Sequence, residues 1–472
     1  MAFERSTVLL AASKALSAII TFVGIAFFTR ELGSDGIGQF FLFQSVLTFI
    51  VFWSNLSIQN AAEKRISEGK PKGEVISSAL VLKLFALATT IILVSGISDH
   101  INSYLGGDLA YLLVIGIILS GMGDFVIRIM SGDLRIGETA ILRLSQRVFW
   151  LVTGITLVWY GYGTRAPIIA LIIGLFVMFV WATIRCNFEF ASPSMLRIRE
   201  LLSFSKYDLI AGASRKVYNW ADVLIIGLFL TSADVGRYEI AWRVTVIAGL
   251  LSDSVSQVVF PQISHWTSNN ALDKIEQAMS EALAMSMALV IPALFGALIL
   301  ADTILSVVFE IKSPEAVLVL GILMLSRLIF VNFQPMKRIL DGLGQVSLSA
   351  RATAASAIAN ILLNFVLVQK YGVIGAAVGT TIAVLVGTIL TGYYLHLHLE
   401  IIYPRKMVVG FLGGSIVMTG VLLGIRRYID IKSAPVLFAT VVLGAIVYVV
   451  SLLMYTPTRG FLRRQYESFF VV

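Results

Sequence analysis

The sequence predicts an all-α polytopic membrane protein, and three observations support this class. Hydrophobic residues make up 58% of the chain and charged residues only 14%, whereas soluble domains carry roughly 25% charged residues. Apolar runs of about 20 residues, the length of helix that crosses a bilayer, recur along the whole sequence. These runs lack the alternation of polar and apolar residues that is typical of membrane barrels. Because lipid offers no partners to backbone polar groups, the runs are predicted to be helices.

About 14 transmembrane helices are predicted, with boundaries read from the apolar runs. The connections on one side are rich in Lys and Arg, as at Lys64, Arg65, Lys70 and Lys72, while those on the other side are sparse. The positive-inside rule then places both termini in the cytoplasm, which requires an even number of spans. The predicted spans are residues 7–30, 38–60, 74–97, 108–131, 138–161, 166–187, 205–230, 235–261, 279–301, 315–337, 346–369, 373–396, 405–427 and 435–455.

One helix corner occurs twice in the sequence. The stretch Phe28–Val46 ends an apolar segment, turns through Ser and Asp to Gly38, and enters the next helix. Phe229–Val244 does the same and reaches Gly236, which lies 198 residues after Gly38. A corner that is used twice predicts a molecule built from two similar halves. The polar stretch after residue 187, with an amphipathic part at 196–204, is the predicted linker between them.

Four stretches carry a resemblance to a known family. The first corner has the pattern R-x-LG-x-x-x-x-G-x-F, and the second corner shares its Leu, its second Gly and its aromatic residue. The sequence FPQIS ends the eighth span and is followed by Ile291–Phe309, and Asn360–Thr380 has the pattern N-x-x-x-N with a later YG-x-x-GAA. In order and spacing these stretches resemble the polysaccharide transporter family of the multidrug/oligosaccharidyl-lipid/polysaccharide flippase superfamily.

The resemblance implies a domain organisation and an activity. It implies two pseudo-two-fold-related six-helix bundles around a central cavity, plus two C-terminal helices. The parts expected are an N-terminal lobe at 1–190, a cytoplasmic amphipathic linker at 191–204, a C-terminal lobe at 205–400, two additional helices at 401–456 and a cytoplasmic tail at 457–472. Members of the family resemble flippases that move lipid-linked oligosaccharides outward by alternating access.

Polar residues inside the seventh span are candidates for a binding site, since ionisable groups at membrane depth are costly. Asp208, Arg215, Asn219 and Asp222 follow at steps of seven, four and three, and these steps place them on one helical face. Arg215 lies about 15 Å from the cytoplasmic end of the span. It is predicted either to bind the phosphate of a lipid carrier or to hold helices together through an Arg–Asp network. Asp222 is a candidate ligand of a coupling ion.

The repeat offset relates polar residues of the second and eighth spans. Asp253 and Gln257 correspond to Asn55 and Gln59 at the offset of 198 residues. Both halves are therefore predicted to place polar groups at the same depth, with a charge in the second half only. The candidates for hydrogen bonds to sugars are Asn55, Gln59, Asn219 and Gln257. Asp253 is a second candidate ligand of the coupling ion.

Further cations lie within the spans. Lys14 is predicted to be a cation of the cavity. The alternative is that its side chain extends to the membrane surface. Arg243 and Glu239, at i and i+4, form either a self-contained ion pair or part of the cavity lining. Arg327 lies well inside the tenth span, where binding and structural roles are both open. Lys83 is predicted to extend to the membrane surface.

An enzyme is not predicted. The four histidines are scattered, the sequence has no Walker loop, and the single Cys186 provides neither a disulfide nor a thiolate cluster. A membrane glycan polymerase or ligase would need a large extracytoplasmic loop, whereas the longest outer connections have only about a dozen residues. We expect no cofactor and no metal site.

The function predicted is the flipping of a polyprenyl-(pyro)phosphate-linked oligosaccharide across the cell membrane. Its cations would be Lys14, Arg215, Arg243 and Arg327. The expected partners are the lipid-linked glycan, membrane lipid and glycan-assembly proteins, and no nucleic acid, because the net charge of +8 is spread over the connections. One alternative is a cation-coupled drug or metabolite antiporter of the same superfamily. Another is a non-transporting scaffold of a glycan assembly complex.

Overall fold

The structure is a computed structural model that describes residues 2–249, 263, 266–267 and 271–470. Within these residues all regular secondary structure is helical. One short 3-10 helix, Gly163–Arg165, precedes α7. The α-helices are α1 (Ala2–Asn55), α2 (Ile58–Ser67), α3 (Lys72–Gly96), α4 (Ser98–Leu105), α5 (Ala110–Gly132), α6 (Ile136–Trp159), α7 (Ala166–Arg185), α8 (Met195–Phe229), α9 (Ser232–Ala248), α10 (Leu272–Phe309), α11 (Pro314–Gly342), α12 (Val346–His396), α13 (Arg405–Tyr428), α14 (Ala434–Met454) and α15 (Thr456–Phe470).

The helices confirm the predicted all-α polytopic class. In the described part of the chain, 10 helices are long and apolar enough to cross a membrane. Two of them, α1 and α12, each contain two predicted spans, and each of the other eight contains one. The 10 helices therefore account for twelve predicted spans. The seventh span falls on α8, and the eighth falls on α9 and on residues outside the described part. The count of fourteen therefore stays a prediction.

The two longest helices are sharply kinked at glycines. Gly33 in α1 has φ of 69° and Gly372 in α12 has φ of 59°. Only glycine adopts such angles readily, because it has no Cβ to clash with the backbone. Each kink lies where the sequence predicts a turn between two spans, so each of these helices folds as two consecutive limbs.

The chain divides into two compact units, Met1–Gly236 and Arg237–Val472, which we call unit 1 and unit 2. In unit 1, Trp150 of α6 is 2% exposed and packs against Phe28 and Phe40 of α1 at ring-centroid distances of 5.2 and 5.6 Å. Its indole Nε1 donates a hydrogen bond to the carbonyl oxygen of Pro167 at 3.2 Å. This aromatic cluster joins α1, α6 and α7.

In unit 2, buried polar contacts join the two limbs of α12. The Asn360 amide donates to Thr380 Oγ1 at 3.1 Å, and the Ser356 hydroxyl donates to the carbonyl oxygen of Ala383 at 2.8 Å. Asn364 is fully buried, and a Cβ added to Gly379 would lie 2.3 Å from its Oδ1. The limbs of α12 therefore pack closely, since the second limb presents small residues to the amides of the first.

The two copies of the corner contact each other within unit 1. A Cβ added to Gly38 would lie 1.7 Å from the carbonyl oxygen of Ser232, and one added to Gly236 would lie 2.0 Å from that of Ser34. The contact is reciprocal, because Ser34 and Ser232 are separated by the same 198 residues as the two glycines. Close backbone packing explains why the corner has glycine in both copies.

The polar residue that follows each glycine contacts a neighbouring segment. Gln39 donates through Nε2 to the carbonyl oxygens of Leu105 and Gly106, at 3.0 and 3.1 Å, and so caps α4. Arg237 lies 3.8 Å from a carboxylate oxygen of Glu315 at the start of α11. The residue after the glycine thus contacts an adjacent segment in each copy, α4 through Gln39 and the start of α11 through Arg237.

The linker is attached to the start of α3. The amides of Ala191 and Ser194 donate to the hydroxyls of Ser77 and Ser78, at 3.2 and 3.0 Å. Arg197 lies 3.3 Å from a carboxylate oxygen of Glu74 and 2.8 Å from one of Glu200. Its hydrogen bond lowers the pKa of Glu200. The Glu200 contact therefore contributes stability above the ordinary pKa of the carboxyl and loses it as the pH falls through the lowered value.

We predict that Gly38→Ala and Gly236→Ala each destabilise the protein. Each added methyl would meet a backbone carbonyl, and overpacking of this kind costs on the order of 1–3 kcal/mol. Thermal unfolding of the purified protein measures the loss. The control is Gly413→Ala in α13, where no neighbouring heavy atom lies within 4 Å of the added Cβ. Equal melting temperatures for all three variants would contradict the close corner contact.

We also predict that Arg197→Ala releases the linker from α3, since it removes the guanidinium that binds two carboxylates. Limited proteolysis would then cut residues 186–194 faster than in the wild type. Arg199 lies two residues further along the same helix, is exposed, and provides the matched control. If Arg199→Ala accelerated cleavage as much as Arg197→Ala, the ion pairs would not hold the linker.

Candidate functional site

The second span is broken inside unit 1, and the break holds two of the predicted polar residues. α1 ends at Asn55, and Leu56 and Ser57 have φ of 44° and 56° before α2 begins at Ile58. Asn55 and Gln59 lie on either side of this break and are 6% and 7% exposed. Interruptions of membrane helices expose backbone polar groups inside the protein and are typical of transporter binding sites.

Lys83 of α3 is the main residue that sequence reasoning misplaced. The prediction that it extends to the membrane surface is wrong, because its side chain is 0% exposed. Its Nζ donates a hydrogen bond to Asn55 Oδ1. Lys83 lies about 16 Å along α3 from Lys72 at the helical rise, close to the middle of the helix. The position of Lys83 at the middle of this helix is the feature of the sequence that could have indicated its burial.

Oppositely charged and polar pairs continue from this contact through unit 1. Arg143 of α6 lies 3.3 Å from Asp124 of α5. Closer to the ends of α2 and α5, Arg128 lies 2.7 Å from Glu63. The Asn60 amide donates to Asp208 of α8 at 2.7 Å. These pairs neutralise charges that would be costly to leave alone among apolar helices, and they join α2, α5, α6 and α8.

The remaining candidates of unit 1 lie on α1 and α8. Lys14 is exposed on the first limb of α1, and Asp222 is 6% exposed on α8. The backbone of α8 passes through Arg215 and Asn219, but the side chains of these two residues lie outside the described part. The predicted common face of α8 is therefore observed only at Asp208 and Asp222.

In unit 2, Arg243 and Glu239 form the predicted i, i+4 pair. An Arg243 Nη2 lies 3.1 Å from Glu239 Oε2, and Nε donates to the same oxygen at 3.1 Å. The Glu239 side chain is only 3% exposed, whereas that of Arg243 is 29% exposed. The guanidinium thus remains accessible while it neutralises a buried carboxylate.

Arg327 is 7% exposed in α11 and packs against Gly249, the residue after α9. A Cβ added to Gly249 would lie 1.6 Å from its Nη2, so the glycine leaves the space that the guanidinium occupies. The guanidinium carbon lies 5.1 Å from the centre of the Phe330 ring, which gives a cation–π contact. Asp253 and Gln257 lie outside the described residues.

A cavity of about 540 Å³ lies beside the corner in unit 1. Its polar lining combines Asp35, His100, Ser103 and Thr231. Tyr104 forms part of the wall and donates through its hydroxyl to the carbonyl oxygen of Leu224 at 2.8 Å. The carboxylate, imidazole and hydroxyl groups provide both donors and acceptors at this end of the unit.

The fold and these sites define a multi-pass membrane protein of the transporter class. Its polar groups are buried at mid-helix and beside a broken span, as in transporters that bind their substrates within the membrane. A family model described as "Polysaccharide biosynthesis protein" matches residues 45–318. The chain belongs to this family, in agreement with the resemblance found in the sequence.

Two relatives and one solved structure extend this result. The chain is 37% identical, over 97% of both chains, to "Probable low-salt glycan biosynthesis flippase Agl15" of Haloferax volcanii. It is 26% identical, over 91% of both chains, to "Probable flippase AglR" of the same organism. The structure titled "Lipid II flippase MurJ, inward closed conformation" superposes with a TM-score of 0.79 at 18% identity, covering 95% of this chain and 98% of that one. This likeness supports the fold.

We predict that Arg243→Ala destabilises the protein because Glu239 then keeps a buried carboxylate without its guanidinium. The expected loss is about 1.5–3 kcal/mol, the range for hydrogen bonds to charged groups. Chemical unfolding measures it, and adding Glu239→Gln to the same variant should recover part of the loss.

The matched control for this prediction is Arg237→Ala. Its partner Glu315 is more exposed and more distant, and exposed pairs contribute at most about 1 kcal/mol. Equal stability of Arg243→Ala and Arg237→Ala would contradict the prediction, because it would show that Arg243 contributes no more than a surface ion pair.

Proposed function

We propose that this protein is a flippase for lipid-linked oligosaccharides. It moves a glycan on a polyprenyl phosphate or pyrophosphate from the cytoplasmic to the outer face by alternating access. The product serves the assembly of surface polysaccharide or glycoprotein. We further propose that the protein lies in the cell membrane with both termini in the cytoplasm, which agrees with the Lys and Arg content of alternate connections.

The observation that carries the proposal is the end-to-end relation to Agl15, whose name describes a glycan biosynthesis flippase. It covers nearly the whole length of both chains, so the relation includes every predicted span. The fold likeness to a lipid II flippase supports the same class of transporter. In unit 1, polar groups at the middle of α3 and beside the break of the second span provide the kind of environment that a polar head group needs to cross a bilayer.

The anionic phosphate group is proposed to bind cations within the spans, namely Lys14, Arg215, Arg243 and Arg327. The exposed Lys14 and the accessible side of Arg243 support this role, since a phosphate oxygen needs a donor that it can reach. Arginine suits phosphate particularly well because its planar fork of donors can bind two oxygens at once. For Arg215 the proposal rests on its position in the sequence.

The glycan is proposed to form hydrogen bonds with Asn55, Gln59, Asn219 and Gln257. Amide side chains both donate and accept, which matches the hydroxyl groups of sugars. The energy source is proposed to be an ion gradient or removal of the product outside. Asp222, buried on α8, and Asp253 are the proposed ligands of a coupling cation.

A cation-coupled antiporter is the runner-up. A multidrug transporter structure titled as inward-facing superposes with a TM-score of 0.64 but covers only 82% of this chain. An antiporter for cationic drugs would favour acidic groups at membrane depth, whereas the candidates here include four cations. A scaffold that transports nothing is a separate alternative, and reconstitution distinguishes it.

We predict that Lys14→Ala and Arg215→Ala each weaken transport of a fluorescent lipid-linked oligosaccharide in reconstituted vesicles. Loss of one hydrogen bond to a charged group corresponds to about 10- to 100-fold in apparent affinity. The measurement is the rate at which the labelled head group reaches the opposite leaflet. Lys14→Arg should retain most of the rate because it keeps the charge.

The control is Lys312→Ala, an exposed cation in the connection between α10 and α11. Full transport by both Lys14→Ala and Arg215→Ala would refute the cationic site. A wild-type protein that moves no labelled lipid would support the scaffold alternative. In cells, depletion should cause one lipid-linked intermediate to accumulate on the cytoplasmic face, and unchanged pools would refute the flippase function.

A further inference from the structure

The cavity beside the corner is formed by three connections between predicted spans. Asp35 belongs to the connection between the first and second spans, His100 to that between the third and fourth, and Thr231 to that between the seventh and eighth. Each connection follows an odd-numbered span, so all three lie on one side of the membrane. In the proposed topology, with both termini in the cytoplasm, that side is the outer one. The cavity thus belongs to the end of unit 1 where the head group of a flipped lipid would arrive.

Hydrogen bonds hold the connections that form the cavity. Gln39 caps α4, and Asn102 Oδ1 of the same helix accepts from the backbone amide of Ala110 at 2.8 Å. Thr231 and Asp234 cap α9 reciprocally. The Thr231 hydroxyl donates to Asp234 Oδ2 at 2.7 Å, and the Asp234 amide donates to Thr231 Oγ1 at 3.3 Å. The walls are therefore formed before any ligand binds, as is usual for small-molecule sites.

An aromatic ring forms part of the wall. The hydroxyl of Tyr104 donates to the carbonyl oxygen of Leu224, which fixes the side chain. A Cβ added to Gly227 would lie 2.7 Å from the Tyr104 hydroxyl and 2.3 Å from Leu42 Cδ2, so this glycine leaves the space that both side chains occupy. A fixed tyrosine combines an apolar ring with little loss of conformational freedom on binding. The apolar C–H face of a sugar ring packs well on such a surface.

Three polar side chains of the lining are available to a ligand. Asp35, His100 and Ser103 are exposed, and among the described residues none forms a hydrogen bond or an ion pair with these side chains. An ionised carboxylate accepts hydrogen bonds through both oxygens, a hydroxyl donates and accepts, and a neutral imidazole does one at each nitrogen. The set therefore suits a ligand with several hydroxyl groups.

The lining is unfavourable for other classes of ligand. It includes neither Lys nor Arg, so a phosphate would meet the carboxylate of Asp35 without a cation to balance it. In the described part of the chain, no group of three or more His, Cys, Asp and Glu could hold a metal ion. A polyprenyl tail would cover the carboxylate and the imidazole without giving them partners, which is costly. A neutral, hydroxyl-rich ligand is the class that fits.

We propose that this cavity is a saccharide-binding subsite, which takes part of the glycan of the lipid-linked product. Asp35 accepts hydrogen bonds from sugar hydroxyls, and His100 and Ser103 complete the polar side of the subsite. The ring of Tyr104 packs against the apolar face of a sugar. The volume of about 540 Å³ lies within the usual range of about 300–1,000 Å³ for ligand sites. This inference rests on the proposed flippase function and deepens it, since the subsite is separate from the phosphate and glycan residues proposed above.

The test measures binding of a soluble glycan to the purified full-length protein. The probe is the oligosaccharide that mild acid releases from the lipid-linked glycans of the producing cells, and it carries neither lipid nor phosphate. Titration calorimetry should show binding to the wild type. Asp35→Asn should weaken it about 10- to 100-fold, because hydrogen bonds to a charged group are lost. The matched control is Asp99→Asn, which removes an exposed carboxylate of α4 outside the lining and should bind like the wild type.

Other outcomes overturn the proposal. If the wild type does not bind the free oligosaccharide, or if Asp35→Asn binds it equally well, the cavity is not a saccharide subsite. Equal losses in Asp35→Asn and Asp99→Asn would show an effect of net charge alone, and would also refute the subsite. Ser103→Trp provides a second variant, because it fills the cavity from an exposed position of α4. It should abolish binding, and full binding by this variant would place the glycan elsewhere.

A transport measurement separates the subsite from the flippase function. If the wild type moves the labelled lipid-linked oligosaccharide in vesicles but does not bind the free glycan, the flippase function stands and the subsite fails. If the wild type binds the free glycan through Asp35 but moves no labelled lipid, the subsite stands and the flippase function fails.

Discussion

The absence of water from a bilayer is the constraint on which the rest of this structure depends. Backbone groups must find partners within the chain, so every described regular segment is a helix. The same constraint makes each departure from helix significant. Gly33 and Gly372 turn the chain between spans, where the departure costs little, whereas Leu56 and Ser57 interrupt a span beside a buried lysine. The position of a break along the chain thus distinguishes a connection between spans from a candidate site within a span.

In both units a buried charge has a partner, but the sign of the buried charge differs. In unit 1 the buried Lys83 contacts Asn55, and Asp124, Arg143, Glu63 and Arg128 form pairs between helices. In unit 2 the buried member of the main pair is the carboxylate of Glu239, and its partner Arg243 stays partly exposed. The buried charge of the contact in unit 1 is therefore a cation, while the buried charge of the pair in unit 2 is an anion. The sequence predicted a different inequality, a charge at Asp253 opposite the neutral Asn55, and Asp253 lies outside the described residues.

The sequence predicted features that depend on local patterns. Hydropathy and motif order predicted the membrane class and the family, the repeated corner predicted both turns, and the i, i+4 spacing predicted the Arg243–Glu239 pair. The burial of Lys83 was missed because residues 38–60 were read as one continuous span, so the break at Leu56 and Ser57 that brings Asn55 to the lysine was not predicted. The packing of Arg327 on Gly249 was missed because it joins residues distant in the chain. Depth along a helix can be counted from a sequence, whereas the neighbour that a side chain meets depends on tertiary packing.

The reciprocal packing of Gly38 on Ser232 and of Gly236 on Ser34 has the form of an isologous interface, although it lies within one polypeptide. In a symmetric dimer a substitution necessarily appears on both sides of the axis. Here each side is encoded separately, so the two copies are free to diverge wherever the contact tolerates it. Glycine stands at the point of closest approach in both copies, while the next position is Gln39 in one and Arg237 in the other. The divergence between the copies thus distinguishes the residues that form the reciprocal contact from those that contact other neighbours.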